Sequence, residues 1–167
     1  MERKTFLETS LAATGALICA PPVWGGAGSR SIDALDPTLV FEFVRAGHND
    51  IQRVREMLEK TPALLNATWD WGNGDFETAL GGAGHVGTKP IAKYLIACGA
   101  RADIFVLTML GKKHIVVSLL EEFPNLLRSR GPHGFTLLHH AIAGGAESAE
   151  LAEHVRALGL TETKLPL

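Results

Sequence analysis

The octapeptide LEKTPALL, Leu58 to Leu65, returns as LEEFPNLL at Leu120 to Leu127. A chain that repeats a helix end together with its proline break is built by internal duplication, and such units bury their apolar faces by stacking on one another. A smaller unit recurs inside the larger one. NDIQRVREML from Asn49, GTKPIAKYLI from Gly87 and GKKHIVVSLL from Gly111 each open on a residue that tolerates left-handed backbone geometry. Apolar residues then follow at matching offsets: Val54, Met57 and Leu58 answer to Ala92, Leu95 and Ile96, and to Val116, Leu119 and Leu120. A fourth start near Gly145 leads into AESAELAEHVRAL. The apolar stretches, each of roughly ten residues and each ended by Gly, Asn or Pro, have the rhythm of helix pairs.

The run GGAGHVGTK, Gly81 to Lys89, contains GxGxxG at Gly82, Gly84 and Gly87 and invites a nucleotide-binding reading. Its flanks argue against that. Phosphate binding needs an apolar strand before the glycines, whereas DFETAL is short and polar, and Thr88-Lys89 reverses the P-loop order. The glycines read instead as a first helix that lets neighbours approach closely. Gly87 ends that helix, Thr88 caps the next, and Pro90 fits its first turn. Asp36-Pro37 reads in the same way as the opening of the first unit.

These units resemble ankyrin repeats. In ETALGGAGHVGTKPIAKYLIACGARAD, Thr78 and Leu80 match the family's TPLH turn, Ala83 and Gly84 its paired small residues, and Gly87 its inter-helix glycine. FTLLHHAIAGG matches the opening half more closely through Thr136, Leu138, His139 and Ala141. The resemblance covers about residues 37 to 158 and implies an all-α solenoid of about four helix-pair repeats. The step from Gly87 to Gly111 is shorter than the usual ~33 residues, so one unit is shortened and lacks its projecting hairpin. The resemblance further implies that His139 serves the turn structurally.

The N-terminus has a different character. Arg3-Lys4, an apolar run from Leu11 to Ala20, and then Pro21-Pro22 with small residues follow the order of an export signal. RKTFL resembles a twin-arginine motif with Lys4 at the second position, and cleavage is expected between Gly25 and Ser29. The organisation expected is a signal over 1–28, a repeat domain over 29–160 and a tail over 161–167, exported to the periplasm or beyond. The apolar run is too short to span a bilayer. After cleavage Cys98 is the one remaining cysteine, expected as a small buried hydrophobe without a disulfide partner.

With Lys+Arg 16 against Asp+Glu 18, the net charge of −2 gives no electrostatic footprint for nucleic acid. No pair of the seven histidines has the spacing of a helical zinc motif, and no nucleophile–base constellation stands out. Neither a metal nor a cofactor is therefore expected. The candidate surface lies on two connectors. NATWDWGNGDFE supplies Trp69, Asp70, Trp71, Asp75, Phe76 and Glu77, and RSRGPHGF supplies Arg128, Arg130 and His133, with His140 close by. The expected function is a monomeric, non-enzymatic module that binds a protein partner in the cell envelope through these residues. The alternatives are an enzyme or small-ligand protein using the Trp69–Glu77 loop, and a purely structural repeat protein.

Overall fold

The computed structural model describes residues 34 to 167. The export signal expected over residues 1 to 28 lies outside them. Four helix pairs follow in order: α1 (Pro37–Asn49) with α2 (Ile51–Lys60), α3 (Ala79–Val86) with α4 (Lys89–Ala97), α5 (Ile104–Met109) with α6 (Lys113–Glu122), and α7 (Leu137–Ala143) with α8 (Ala149–Ala157). The first helices of the pairs pack in succession, α1 on α3, α3 on α5 and α5 on α7, so the chain is an all-α stack of repeat-like helix pairs. Between α2 and α3 stands a small antiparallel hairpin of β1 (Thr68–Asp70) and β2 (Phe76–Thr78), with Trp69 opposite Glu77. Residues 98 to 103, between α4 and α5, form no strand.

Short polar side chains start the helices. Asp36 accepts from the Thr38 N–H at 2.8 Å with Pro37 in the first turn, and Asp50 accepts from Arg53 N at 2.9 Å. Thr78 caps α3 through Gly81 N at 3.0 Å, and Asp103 caps α5 through Val106 N at 2.9 Å. Each such cap is worth about 1 kcal/mol. The duplicated octapeptides fold alike. Thr61 N bonds Met57 O and Phe123 N bonds Leu119 O, both at 2.8 Å, and each is followed by a 3-10 turn that starts at the proline, Pro62–Asn66 and Pro124–Arg128.

Gly87 ends α3 in the left-handed region, with φ at 84°, and a side chain there would strike the Ala143 carbonyl. Thr88 departs from its expected role. Its hydroxyl caps nothing on α4 and donates instead to the His48 carbonyl at 2.6 Å, tying α4 to the end of α1.

Two apolar clusters fill the stack. One gathers Phe43, Val44, Leu64, Leu80, Ile91, Leu95 and Met109, and the other Val116, Leu137, Leu138, Leu151, Val155 and Leu160. Each fully buried aliphatic or aromatic side chain contributes about 1.5–3 kcal/mol. The small residues of α3 let its neighbours close in, since a Cβ on Gly84 would lie 3.0 Å from Val106 Cγ2. Cys98 differs from expectation: it is half-buried at the end of α4 and is not a free thiol.

The tail over 161–167 adds no helix pair. Thr136 N donates to Thr163 O at 3.1 Å and Leu165 N to Gly134 O at 2.8 Å, so the tail is stitched along the loop that carries His133. None of the described helices is long and apolar enough to cross a membrane.

Candidate metal centre

The sequence AGH occurs twice, at Ala46–His48 and at Ala83–His85. Each copy lies at the C-terminal end of the first helix of its pair, α1 and α3, which pack side by side. Stacking therefore brings the two imidazoles together, with Nε2 of His48 3.2 Å from Nε2 of His85. A Cβ on Gly82 would lie 2.8 Å from His48 Cε1, so the glycine run that resembles a phosphate loop makes room for an imidazole.

Glu77 on β2 enters from below, its side chain fully shielded from solvent. Oε1 lies 2.9 Å from His85 Nε2, and Oε2 lies 3.5 Å from His48 Nε2 and 3.6 Å from His133 Nε2. Trp71 Nε1 donates to Oε2 at 2.9 Å. Oε1 meets no donor in hydrogen-bonding geometry, which is costly for a buried carboxylate. One ligand atom from each of His48, Glu77, His85 and His133 fits within 4.8 Å of all the others.

The outer partners fix how the rings present themselves. His133 has a left-handed backbone, φ 58°, uncommon for a residue with a side chain, and such strain concentrates at functional sites. Asp75 holds it there, accepting the His133 backbone N–H on Oδ1 and the ring Nδ1–H on Oδ2, each at 2.7 Å. His48 Nδ1 lies 3.1 Å from Val44 O and 3.2 Å from Arg45 O. Carbonyl oxygens only accept, so the proton sits on Nδ1. While neutral, both rings turn an Nε2 lone pair toward a carboxylate that also only accepts. A proton on Nε2, or a metal ion between the groups, would satisfy both.

A divalent ion fits that gap. Tetrahedral zinc with bonds of ~2.0–2.1 Å sets neighbouring ligand atoms ~3.3–3.4 Å apart. The separations of 2.9 Å to Oε1, 3.5 and 3.6 Å to Oε2 and 3.2 Å between His48 and His85 lie about that value, within a cluster whose ligand atoms all fall inside 4.8 Å of one another. Asp75 behind His133, and the backbone carbonyls behind His48, are the outer-shell partners that metal-bound imidazoles use to set tautomer and orientation. The three imidazoles are 21%, 11% and 26% exposed above a fully buried carboxylate, leaving an approach from solvent. Rings brace the cluster laterally: His85 stacks on Phe135 at 5.2 Å, and Trp71 packs against His133 at 5.7 Å.

This convergence overturns the expectation of a non-enzymatic interaction module. It also brings four candidate ligand atoms together where the spacing of the histidines gave no reason to look for a metal site. The candidate ligands come from the first helices of two successive pairs, a hairpin and a loop one and a half repeats away, so no local zinc spacing can announce them.

The connector residues divide between several roles. Asp75, Glu77, His133 and Trp71 belong to the cluster or its outer shell. Trp69 packs on Phe41 with centroids 5.1 Å apart, and Asp70 accepts from Gly72 N at 2.8 Å in the hairpin turn. Phe76 and Arg128 are exposed, and Arg130 Nη1 donates to Pro166 O at 2.6 Å. Asp75, Glu77 and His140 are buried. His140 lies against Phe105, its Nδ1 bonded to Thr136 O at 2.8 Å and its Nε2 without a partner, and desolvation pushes its imidazole down to about 4. His139 Nε2 reaches the His85 carbonyl at 2.9 Å, bracing the neighbouring repeat, and burial lowers its pKa as well. Comparisons with family models, with curated proteins and with solved structures returned no match for this chain.

Proposed function

We propose that this chain is an ankyrin-like repeat protein that binds one divalent first-row transition ion through His48, Glu77, His85 and His133. The observation that carries the reading is the pair of imidazole lone pairs, fixed by acceptor-only partners, facing a buried carboxylate with one unsatisfied oxygen. Three imidazoles and one carboxylate suit zinc, nickel, cobalt or copper, whereas calcium and magnesium prefer all-oxygen shells. The tetrahedral spacing favours zinc. With four protein ligands the tetrahedral shell would be complete, as in a structural zinc site, and the ion would tie α1, α3, the hairpin and the loop before α7 together. Export of the chain, suggested by the order of residues 1 to 28, is a separate proposal and would put the site in the envelope.

Isothermal titration of chelator-treated protein with zinc tests the reading. One ion per chain is expected, with His85→Ala and Glu77→Gln each weakening binding by on the order of 100-fold. That figure follows if the ~10–16 kcal/mol of a structural zinc site is shared among four ligands. Zinc affinity indifferent to both substitutions would remove the site.

A further inference from the structure

On the face of β2 away from Glu77 lies a second site. Successive residues of a strand point to opposite sides. Phe76 and Thr78 accordingly line a cleft of about 350 Å³, and Glu77 does not. The volume lies at the lower end of the range for small-molecule sites. Phe76, Phe105 and Leu167 supply apolar walls; of the charged lining residues Asp75 is taken up by His133 through both its oxygens, which leaves Asp103 and Arg130, one of each sign.

These two charges are the informative feature. Asp103 uses one carboxylate oxygen to cap α5, and Arg130 uses one guanidinium nitrogen on the Pro166 carbonyl. Among the described residues neither takes part in an ion pair, with the other or with any third group. Opposite charges that share one cleft without meeting are complementary to a molecule carrying both signs. Arg presents further N–H donors in a fork suited to a carboxylate, and the Asp103 carboxylate, whose partners are all backbone N–H groups, suits an ammonium.

We infer that this cleft binds a small zwitterion with an apolar body, of the type of an apolar amino acid: its carboxylate on Arg130, its ammonium on Asp103 and its side chain against Phe76, Phe105 and Leu167. Exposed Phe76, at 59% accessibility, then gains a covering surface. The cleft shares Asp75 with the outer shell of the candidate metal centre, but none of the groups assigned to the zwitterion is one of its ligands.

Calorimetry in the presence of a chelator, with three probes of one skeleton, decides the matter. L-Phenylalanine should bind saturably, and phenylacetate and phenethylamine, each lacking one charge, should bind roughly tenfold more weakly or worse, as loss of a charged hydrogen bond implies. Arg130→Gln and Asp103→Asn should each lower L-phenylalanine affinity by a similar factor. Arg130 is exposed, so its variant folds even if removal of the Asp103 carboxylate loosens α5. No saturable binding of L-phenylalanine or L-leucine would overturn the proposal. So would phenylacetate binding as tightly as L-phenylalanine, or affinity unmoved by Arg130→Gln.

Discussion

Asp75 grips His133 twice, at the backbone N–H and at ring Nδ1, both at 2.7 Å, across 58 residues of chain. One carboxylate thereby fastens the hairpin before α3 to the loop before α7, and it sets which ring nitrogen of His133 carries the proton. Asp75→Asn separates these effects. Its amide oxygen can still accept from the backbone, but its NH₂ group would face Nδ1 and drive the ring proton to Nε2, closing that ligand position. Zinc affinity should fall about 10–100-fold, the usual cost of losing an outer-shell partner. Titration calorimetry, with circular dichroism to verify folding, checks it; unchanged affinity in a folded variant would assign Asp75 to architecture alone.

Gly82 offers a test in which stability and binding part company. A methyl group at this position would lie 2.8 Å from His48 Cε1 and 2.9 Å from Nδ1, so the ring must swing away. Because His48 is about one-fifth exposed, it has solvent to move into. Alanine also favours a helix over glycine by about 1 kcal/mol. Gly82→Ala should therefore melt at or near the wild-type temperature while zinc affinity drops by on the order of 100-fold, as for loss of one ligand in four. Unchanged affinity would mean that His48 is not a ligand.

Acid stability should report the buried His140. Its imidazole is pushed down to about 4, first by desolvation and further by His139 and His85 nearby. In the unfolded chain the same group titrates at about 6.5. Below that value the unfolded state binds the proton first, so stability is level above pH ~6.5 and declines as pH falls toward ~4. The loss from this residue comes to about 3 kcal/mol. Urea unfolding across this range, in chelator, should show a shallower acid limb for His140→Leu than for wild type. Parallel limbs would show that His140 does not govern acid unfolding.

Much of the fold can be read from the chain because its signals are local. Asp36-Pro37 announces α1, Gly87 ends α3, and the paired octapeptides foretell two identical helix ends. The site is different in kind. Thr88 looks like a cap because threonine caps helices, yet the tertiary position of His48 claims its hydroxyl. His48 and His85 are distant in sequence and adjacent only because α1 and α3 stack, and His133 reaches them from a loop placed by Asp75 and the tail. One sequence signal was nevertheless present. The repeated AGH tripeptide puts histidine at equivalent positions of two successive repeats, and equivalent positions of stacked repeats are neighbours.

Zinc K-edge absorption spectroscopy of the stoichiometric complex reads the ligands themselves. A four-coordinate N/O shell at ~2.0–2.1 Å is expected, with the outer-shell scattering of three imidazoles, reduced to two in His85→Ala. A six-coordinate oxygen shell without imidazole scattering, the same in wild type and variant, would contradict it.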